Sequence, residues 1–166
     1  LWQKGLEPAQ NNTFSQTPNW ETPKKNLQSR DVGRALELLT VSSKGVFVCG
    51  HRERLPGEEE GAFVEGLTAL AEKLSWPIVA EPGSGLRYGT HDRSKVIDLG
   101  DLLLRSEDFA TSTRPDCIVQ VGRSTLSKPT LRWMDQLQWD KKLIIPTPGK
   151  YSSAFYRSGI VLESDP

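Results

Sequence analysis

Lys128 lies in the stretch GRSTLSKPTLRW, residues 122–133, directly before a proline that suits the first position of a helix. That spacing places Lys128 at the N-cap, a position usually held by Ser, Thr, Asp or Asn. A helix start is also its partly positive end, so an ammonium there opposes the local field. Hydroxyls at Ser124, Thr125 and Ser127 stand close enough to satisfy the first amides, which frees the long lysine stem to carry its charge outward. An ammonium beside a helix start is a receptor for a carboxylate or phosphate; the plain alternative is a solvated lysine. Arg87, after the turn sequence AEPGSG, together with Arg123 and Arg105, extends this anion chemistry toward a cationic pocket for an acidic metabolite. Gly83 and Gly85 allow a tight turn with amides facing the cleft, or simply a turn that needs positive φ beside a solvated arginine.

Other chemistries find little support. The stretch after the first apolar run reads GHRERLPGEEEG, which lacks the GxGxxG spacing, and its consecutive glutamates would repel a pyrophosphate. Glu81 stands where a ribose-binding acid would belong in a dinucleotide fold, but nothing else completes that site. Neither GxxxxGK[ST] nor GxSxG occurs. Cys49 and Cys117 sit in apolar runs and read as buried strand thiols of a reducing compartment. His51 and His91 lack partners at ligand spacing. No catalytic, cofactor-binding or metal-binding residue is therefore assigned.

The elements that must hold the cations follow a regular alternation. Residues 1–30, rich in Pro, Asn, Gln and Thr, read as an extended arm or interdomain linker with Trp2, Phe14 and Trp20 as anchors. A helix is expected at about 31–41, with Val32, Leu36 and Leu39 inward. GVFVCG forms a first strand, and a helix over about 58–74 follows, opened by Glu58, Glu59 and Glu60 and packed through Phe63, Leu67, Leu70 and Leu74. PIVA is a second strand and SKVIDLGDLLLRSEDF a buried helix. DCIVQVG, KPTLRWMDQLQ, KLIIP and GIVLE supply strand, helix, strand and strand. Apolar strands alternating with helices predict an α/β fold over 31–166: a Rossmann-like open, mostly parallel sheet of five to six strands, with the cations on loops at the carboxyl edge.

Totals narrow the class. The 166 residues carry 21 Lys+Arg against 21 Asp+Glu, a formal charge of zero that argues against a general nucleic-acid or membrane-surface binder. No apolar run approaches a membrane span. The start, LWQKGLEPAQNNTF, has no Met and no targeting pattern, which is expected of a piece of a larger protein.

The glycine-ended strand KGVFVCG, then LAEKLSWPIVAEPGSGLR, RPDCIVQVG and TLSKPTLRW carry a family likeness from Lys44 to about Pro146. This segment resembles the central domain of the 2-succinyl-5-enolpyruvyl-6-hydroxy-3-cyclohexene-1-carboxylate synthase family, thiamine-diphosphate enzymes of menaquinone and phylloquinone biosynthesis. The resemblance implies a Rossmann-like spacer without cofactor, with thiamine diphosphate and Mg²⁺ bound by the first and third domains between subunits of a homo-oligomer. It implies a parent transferase that decarboxylates 2-oxoglutarate and adds the succinyl unit to isochorismate, in the cytoplasm, or the plastid of a plant or alga. The residue matching the family's substrate-contacting lysine is Lys128, facing a carboxylate of isochorismate. The activating glutamate of the first domain and the GDG metal motif of the third are not in this sequence; LGDLL at 99–103 is no match. The excised domain is expected to be inactive alone. Two alternatives are the equivalent domain of another thiamine-diphosphate enzyme and a freestanding Rossmann-like nucleotide-binding domain.

Overall fold

A computed structural model describes residues 29–53, 59, 61–147 and 160–162. The arm over 1–28, with Trp2, Phe14 and Trp20, lies outside the described residues, as do Glu58 and Glu60. Six strands form one sheet: β1 (Gly45–Cys49), β2 (Ile78–Ala80), β3 (Val96–Ile97), β4 (Cys117–Val121), β5 (Lys142–Ile145) and β6 (Ile160–Val161). Their order is β3-β2-β1-β4-β5-β6, and every neighbouring pair is parallel. This is the Rossmann-like α/β arrangement expected from the apolar strands. The strand order reverses between β1 and β4, so the loops leaving those strands meet at the topological switch point.

Helices cover both faces because the central strands are apolar on both. On one side α1 (Ser29–Val41) and α2 (Ala62–Leu74) pack Ala35, Leu38, Leu67 and Ala71 against Phe47, Ile78 and Val119. On the other, α4 (Glu107–Ser112) and α5 (Lys128–Asp135) bring Phe109, Trp133 and Met134 onto Val46, Ile118 and Ile144. Burial of a side chain such as Phe47, 1% exposed, contributes about 2–3 kcal/mol. The Trp133 indole N–H donates to the Ala110 carbonyl at 3.1 Å, so α5 and α4 are joined by a hydrogen bond as well as by packing.

Several sequence expectations need correction. The first helix starts at Ser29 and turns Ala35 and Leu38 inward, while Leu36 is 57% exposed. The second starts at Ala62: Gly61, with φ of 87°, holds a left-handed conformation that ends any helical run across it. Val64 and Ala71 join its inner face, and Leu70 is exposed. The stretch predicted as one buried helix over 94–109 instead divides into the edge strand β3, α3 (Gly100–Leu103) and α4. Leu104 is the C-cap of α3, and Ser106 caps α4, accepting a hydrogen bond from the Phe109 amide. Leu99 and Leu102 stay 59% and 61% exposed, so periodicity alone overstated their burial.

Two anchors fix the strand ends away from the carboxyl edge. The Asp116 carboxylate accepts from the Ser43 amide at 2.9 Å, the Ser43 hydroxyl at 3.0 Å and the Lys44 amide at 2.9 Å, joining the α1–β1 turn to the start of β4. Partial burial opposes its ionisation, yet these donors hold Asp116 below its ordinary value. Gly45 faces the Trp76 ring so closely that a Cβ would sit 2.3 Å from it. Both cysteines are free and buried, and burial pushes the Cys117 thiol up to about 11, with Cys49 raised further, so neither is a poised nucleophile.

Polar groups interrupt two strands that the sequence suggested were apolar. Lys142 in β5 is 5% exposed, and burial lowers its ammonium's pKa against the opposing pull of Asp135. Gln120 in β4 is 1% exposed, paired in register with Val48 and Ile144, and neither end of its amide has a hydrogen-bond partner. A buried amide without partners costs more than an apolar group of similar shape. Gln120→Met should raise stability by about 1 kcal/mol, seen as a higher urea midpoint at unchanged slope.

Candidate functional site

The carboxyl ends of β1, β2 and β4 are bonded to one another beyond the strands themselves. The Gly50 amide donates to Val121 O at 3.0 Å, the Arg123 amide to His51 O at 2.9 Å, and the Glu81 amide to Cys49 O at 2.9 Å. The Arg52 amide donates to Gly83 O at 3.1 Å. A Cβ on Gly50 would lie 2.0 Å from the Arg123 carbonyl oxygen, and Gly122 adopts φ of 78° with its own Cβ position 2.8 Å from His51 O. These glycines let backbone meet backbone where a dinucleotide fold opens a crevice for pyrophosphate. The freestanding nucleotide-binding alternative therefore loses its phosphate cradle at the switch point.

Glu81, at the end of β2, does not behave as a ribose acid. Its Oε1 accepts from the Thr125 hydroxyl, from the Leu126 amide at 2.9 Å and, more weakly, from the Ser127 amide at 3.4 Å. The carboxylate thus gathers three donors of the β4–α5 loop. Sequence reasoning weighed Glu81 only as a ribose acid, set that role aside, and found it no other partner. The hydroxyl-rich RSTLSK stretch was the signal available, because such a run offers donors to a nearby acid.

The helix start differs by one residue from the sequence expectation. Ser127, not Lys128, is the N-cap of α5: its Oγ accepts from the Thr130 amide at 3.2 Å and the Thr130 hydroxyl at 2.8 Å. The same Ser127 hydroxyl donates to Asp101 Oδ1 at 2.6 Å. Lys128 occupies the first helical position and Pro129 the second, where the missing N–H still does no harm. Lys128 is exposed, and no ion pair engages it among the described residues. The capping hydroxyl leaves the lysine free to project outward, as the hydroxyl-rich loop implied.

The three arginines have separate partners. Arg87, half-buried, donates its Nε to the Ala80 carbonyl at 2.8 Å, and its own carbonyl accepts from Arg93 Nη1 at 2.9 Å. Arg123 places Nη2 2.7 Å from Glu53 Oε1, while its buried Nε has no hydrogen-bond partner. Arg105 grips Asp101 Oδ2 with Nε at 3.1 Å and Nη2 at 2.8 Å. Among them, only Arg105 reaches the α5 start through a hydrogen-bonded chain, Arg105–Asp101–Ser127. Gly85, with φ of 77°, forms the turn anticipated before Arg87, but the Ser84 and Leu86 amides bond within that turn and not to a cleft. Among the described residues no group of three His, Cys, Asp or Glu is placed to hold a metal ion. No helix among them is long and apolar enough to cross a membrane.

No family model matches the chain. It is 33% identical over 137 residues to the 2-succinyl-5-enolpyruvyl-6-hydroxy-3-cyclohexene-1-carboxylate synthase of Geobacillus thermodenitrificans, covering 82% of this chain and 22% of that protein. The synthase of Listeria monocytogenes is 36% identical over 110 residues, 66% of the chain and 18% of the relative. That of Bacillus cytotoxicus is 27% identical over 166 residues, 99% of the chain and 26% of the relative. The chain belongs to this synthase family. It spans about a quarter or less of the length of these relatives.

Asp101 gives the site a pH dependence. Its carboxyl is held below the ordinary value by the Ser127 hydroxyl and then by Arg105. A depressed carboxylate supports the fold above its unfolded pKa of about 3.9 and loses that support as pH falls through the lower folded value. The protection factor of the Thr130 amide, its exchange measured against the intrinsic rate at each pH, should therefore fall below about pH 4, while Asp101→Asn should show a lower protection factor at neutral pH and a flatter acid limb.

Proposed function

We propose that this chain is the central domain of a synthase that decarboxylates 2-oxoglutarate and adds the succinyl unit to isochorismate in menaquinone or phylloquinone biosynthesis. The linker expected over 1–30 gives way to α1 at Ser29, where the domain begins. Thiamine diphosphate with Mg²⁺ supplies the decarboxylation and carboligation chemistry when bound. Among the described residues no cluster of metal-binding side chains is placed to hold that group, and no chemical step is assigned to them. The first and third domains of the parent homo-oligomer hold the cofactor, in the cytoplasm or a plastid, and the isolated domain is inactive.

The observation that carries this reading is the exposed Lys128 directly after residues 125–127, which Glu81 and Asp101 hold from two sides. Its ammonium supplies a charge-assisted hydrogen bond to a carboxylate of isochorismate presented by a neighbouring domain. Leu126, 91% exposed on the same loop, and Leu99 and Leu102, 59% and 61% exposed on the segment that carries Asp101, suit a face covered in a larger protein. In the full-length enzyme, Lys128→Ala should raise KM for isochorismate by the equivalent of about 1.5–3 kcal/mol and leave 2-oxoglutarate decarboxylation nearly unchanged. Steady-state kinetics of the two half-reactions decide it; equal loss of both would remove the substrate contact.

Within the same reading Arg87, Arg105 and Arg123 form the cationic group for an acidic effector. Each already bonds within its own domain, so an effector anion would join or displace Ala80 O, Asp101 or Glu53. Replacing Arg87 and Arg123 together should weaken inhibition by added carboxylic acids in the full-length enzyme. An unchanged inhibition profile would dismiss the pocket.

A further inference from the structure

We propose that Glu81 is a positioning residue for the Lys128 substrate contact, acting through the loop it holds and not through any contact with substrate; the inference rests on the reading of Lys128 given above. Glu81 sits at the carboxyl end of β2, and the loop it captures leaves β4 on the far side of β1. Its own amide is fixed to Cys49 O at the end of β1, and its carbonyl accepts from the Ser84 amide at 3.0 Å and the Ser84 hydroxyl at 2.7 Å. The carboxylate therefore stands on a rigid base. From there its Oε1 takes the Thr125 hydroxyl and the Leu126 and Ser127 amides, the residues immediately before Lys128.

The loop is fixed from a second side. Asp101 accepts the Ser127 hydroxyl, and Arg105 orients Asp101. Ser127 is thus tied by its amide to β2 and by its side chain to α3, while the same oxygen caps α5. Lys128 follows with a backbone that has nowhere to swing and a side chain that has no partner among the described residues. A flexible ammonium loses rotamer freedom on binding, so fixing its Cα limits what further ordering costs. Without the carboxylate, the Thr125 hydroxyl and the Leu126 amide would turn to water, the Ser127 amide would keep only Thr125 Oγ1 at 3.2 Å, and the lysine's point of departure would vary between conformers. Small displacements of a charged contact are expensive at a binding site.

The test uses the full-length enzyme with Glu81→Ala, Glu81→Gln, Lys128→Ala and the Glu81→Ala/Lys128→Ala pair. Glu81→Ala is expected to raise KM for isochorismate roughly tenfold, with KM for 2-oxoglutarate and the decarboxylation rate unchanged. Glu81→Gln, which retains an acceptor oxygen, should recover part of that loss. In the pair, Glu81→Ala should add nothing beyond Lys128→Ala, because one change removes what the other positions. Asp116→Asn, which loosens the opposite edge of the sheet, serves as a control for general destabilisation and should leave KM for isochorismate in place. Full additivity of the pair, or the same KM rise from Asp116→Asn, would overturn the positioning role. An unaltered KM in Lys128→Ala would instead sink the substrate-contact reading on which it stands, and an effect of Lys128→Ala with none of Glu81→Ala would sink the positioning role alone.

Discussion

A single carboxylate, that of Glu81, bridges the end of one strand to a loop more than forty residues downstream. Its three donors are the Thr125 hydroxyl and the Leu126 and Ser127 amides. Charge-assisted bonds of this kind are stronger than neutral ones, and here they are used to give a loop one conformation. The loop so held runs into α5, with Ser127 as its cap and the exposed Lys128 at its first position.

The same economy closes the switch point of the sheet. In open parallel sheets the crevice beyond the reversal of strand order is the usual ligand cradle. In this chain glycine at positions 50 and 122 allows the β1 and β4 loops to bond to each other, leaving carbonyl against Cα where a phosphate would lie. The fold keeps the architecture of a nucleotide-binding domain with that cradle filled by its own backbone. What its rim presents is the exposed Lys128 and the exposed Leu99, Leu102 and Leu126.

Membership in the synthase family accords with the reading proposed for this domain, in which its rim and not its sheet edge meets the rest of a larger protein. The arginines illustrate the point. Arg105 is held by Asp101, Arg123 by Glu53, and Arg87 by the Ala80 carbonyl, each within the domain. Exposed ion pairs contribute little to stability, so these contacts orient the guanidinium groups more than they strengthen the fold.

What the sequence by itself determined was the layered α/β architecture and the loop that carries the lysine. Continuous apolar runs such as VFVC and CIVQV are buried from both faces only in a parallel sheet, and a hydroxyl-rich stretch before KP marks a helix start. Residue types along a short window were enough for both. The window was not enough over 94–109, where apolar residues at mixed spacing formed a strand and two short helices, nor at Leu36, which periodicity turned inward and packing left in solvent. Only the tertiary structure decided which serine caps α5, that Glu81 serves the loop and not a ribose, and that three arginines take three different partners. Those outcomes depend on distances between segments brought together by strand order, and hydrogen bonds fall off within an ångström of their optimum, a scale that spacing along the chain does not encode.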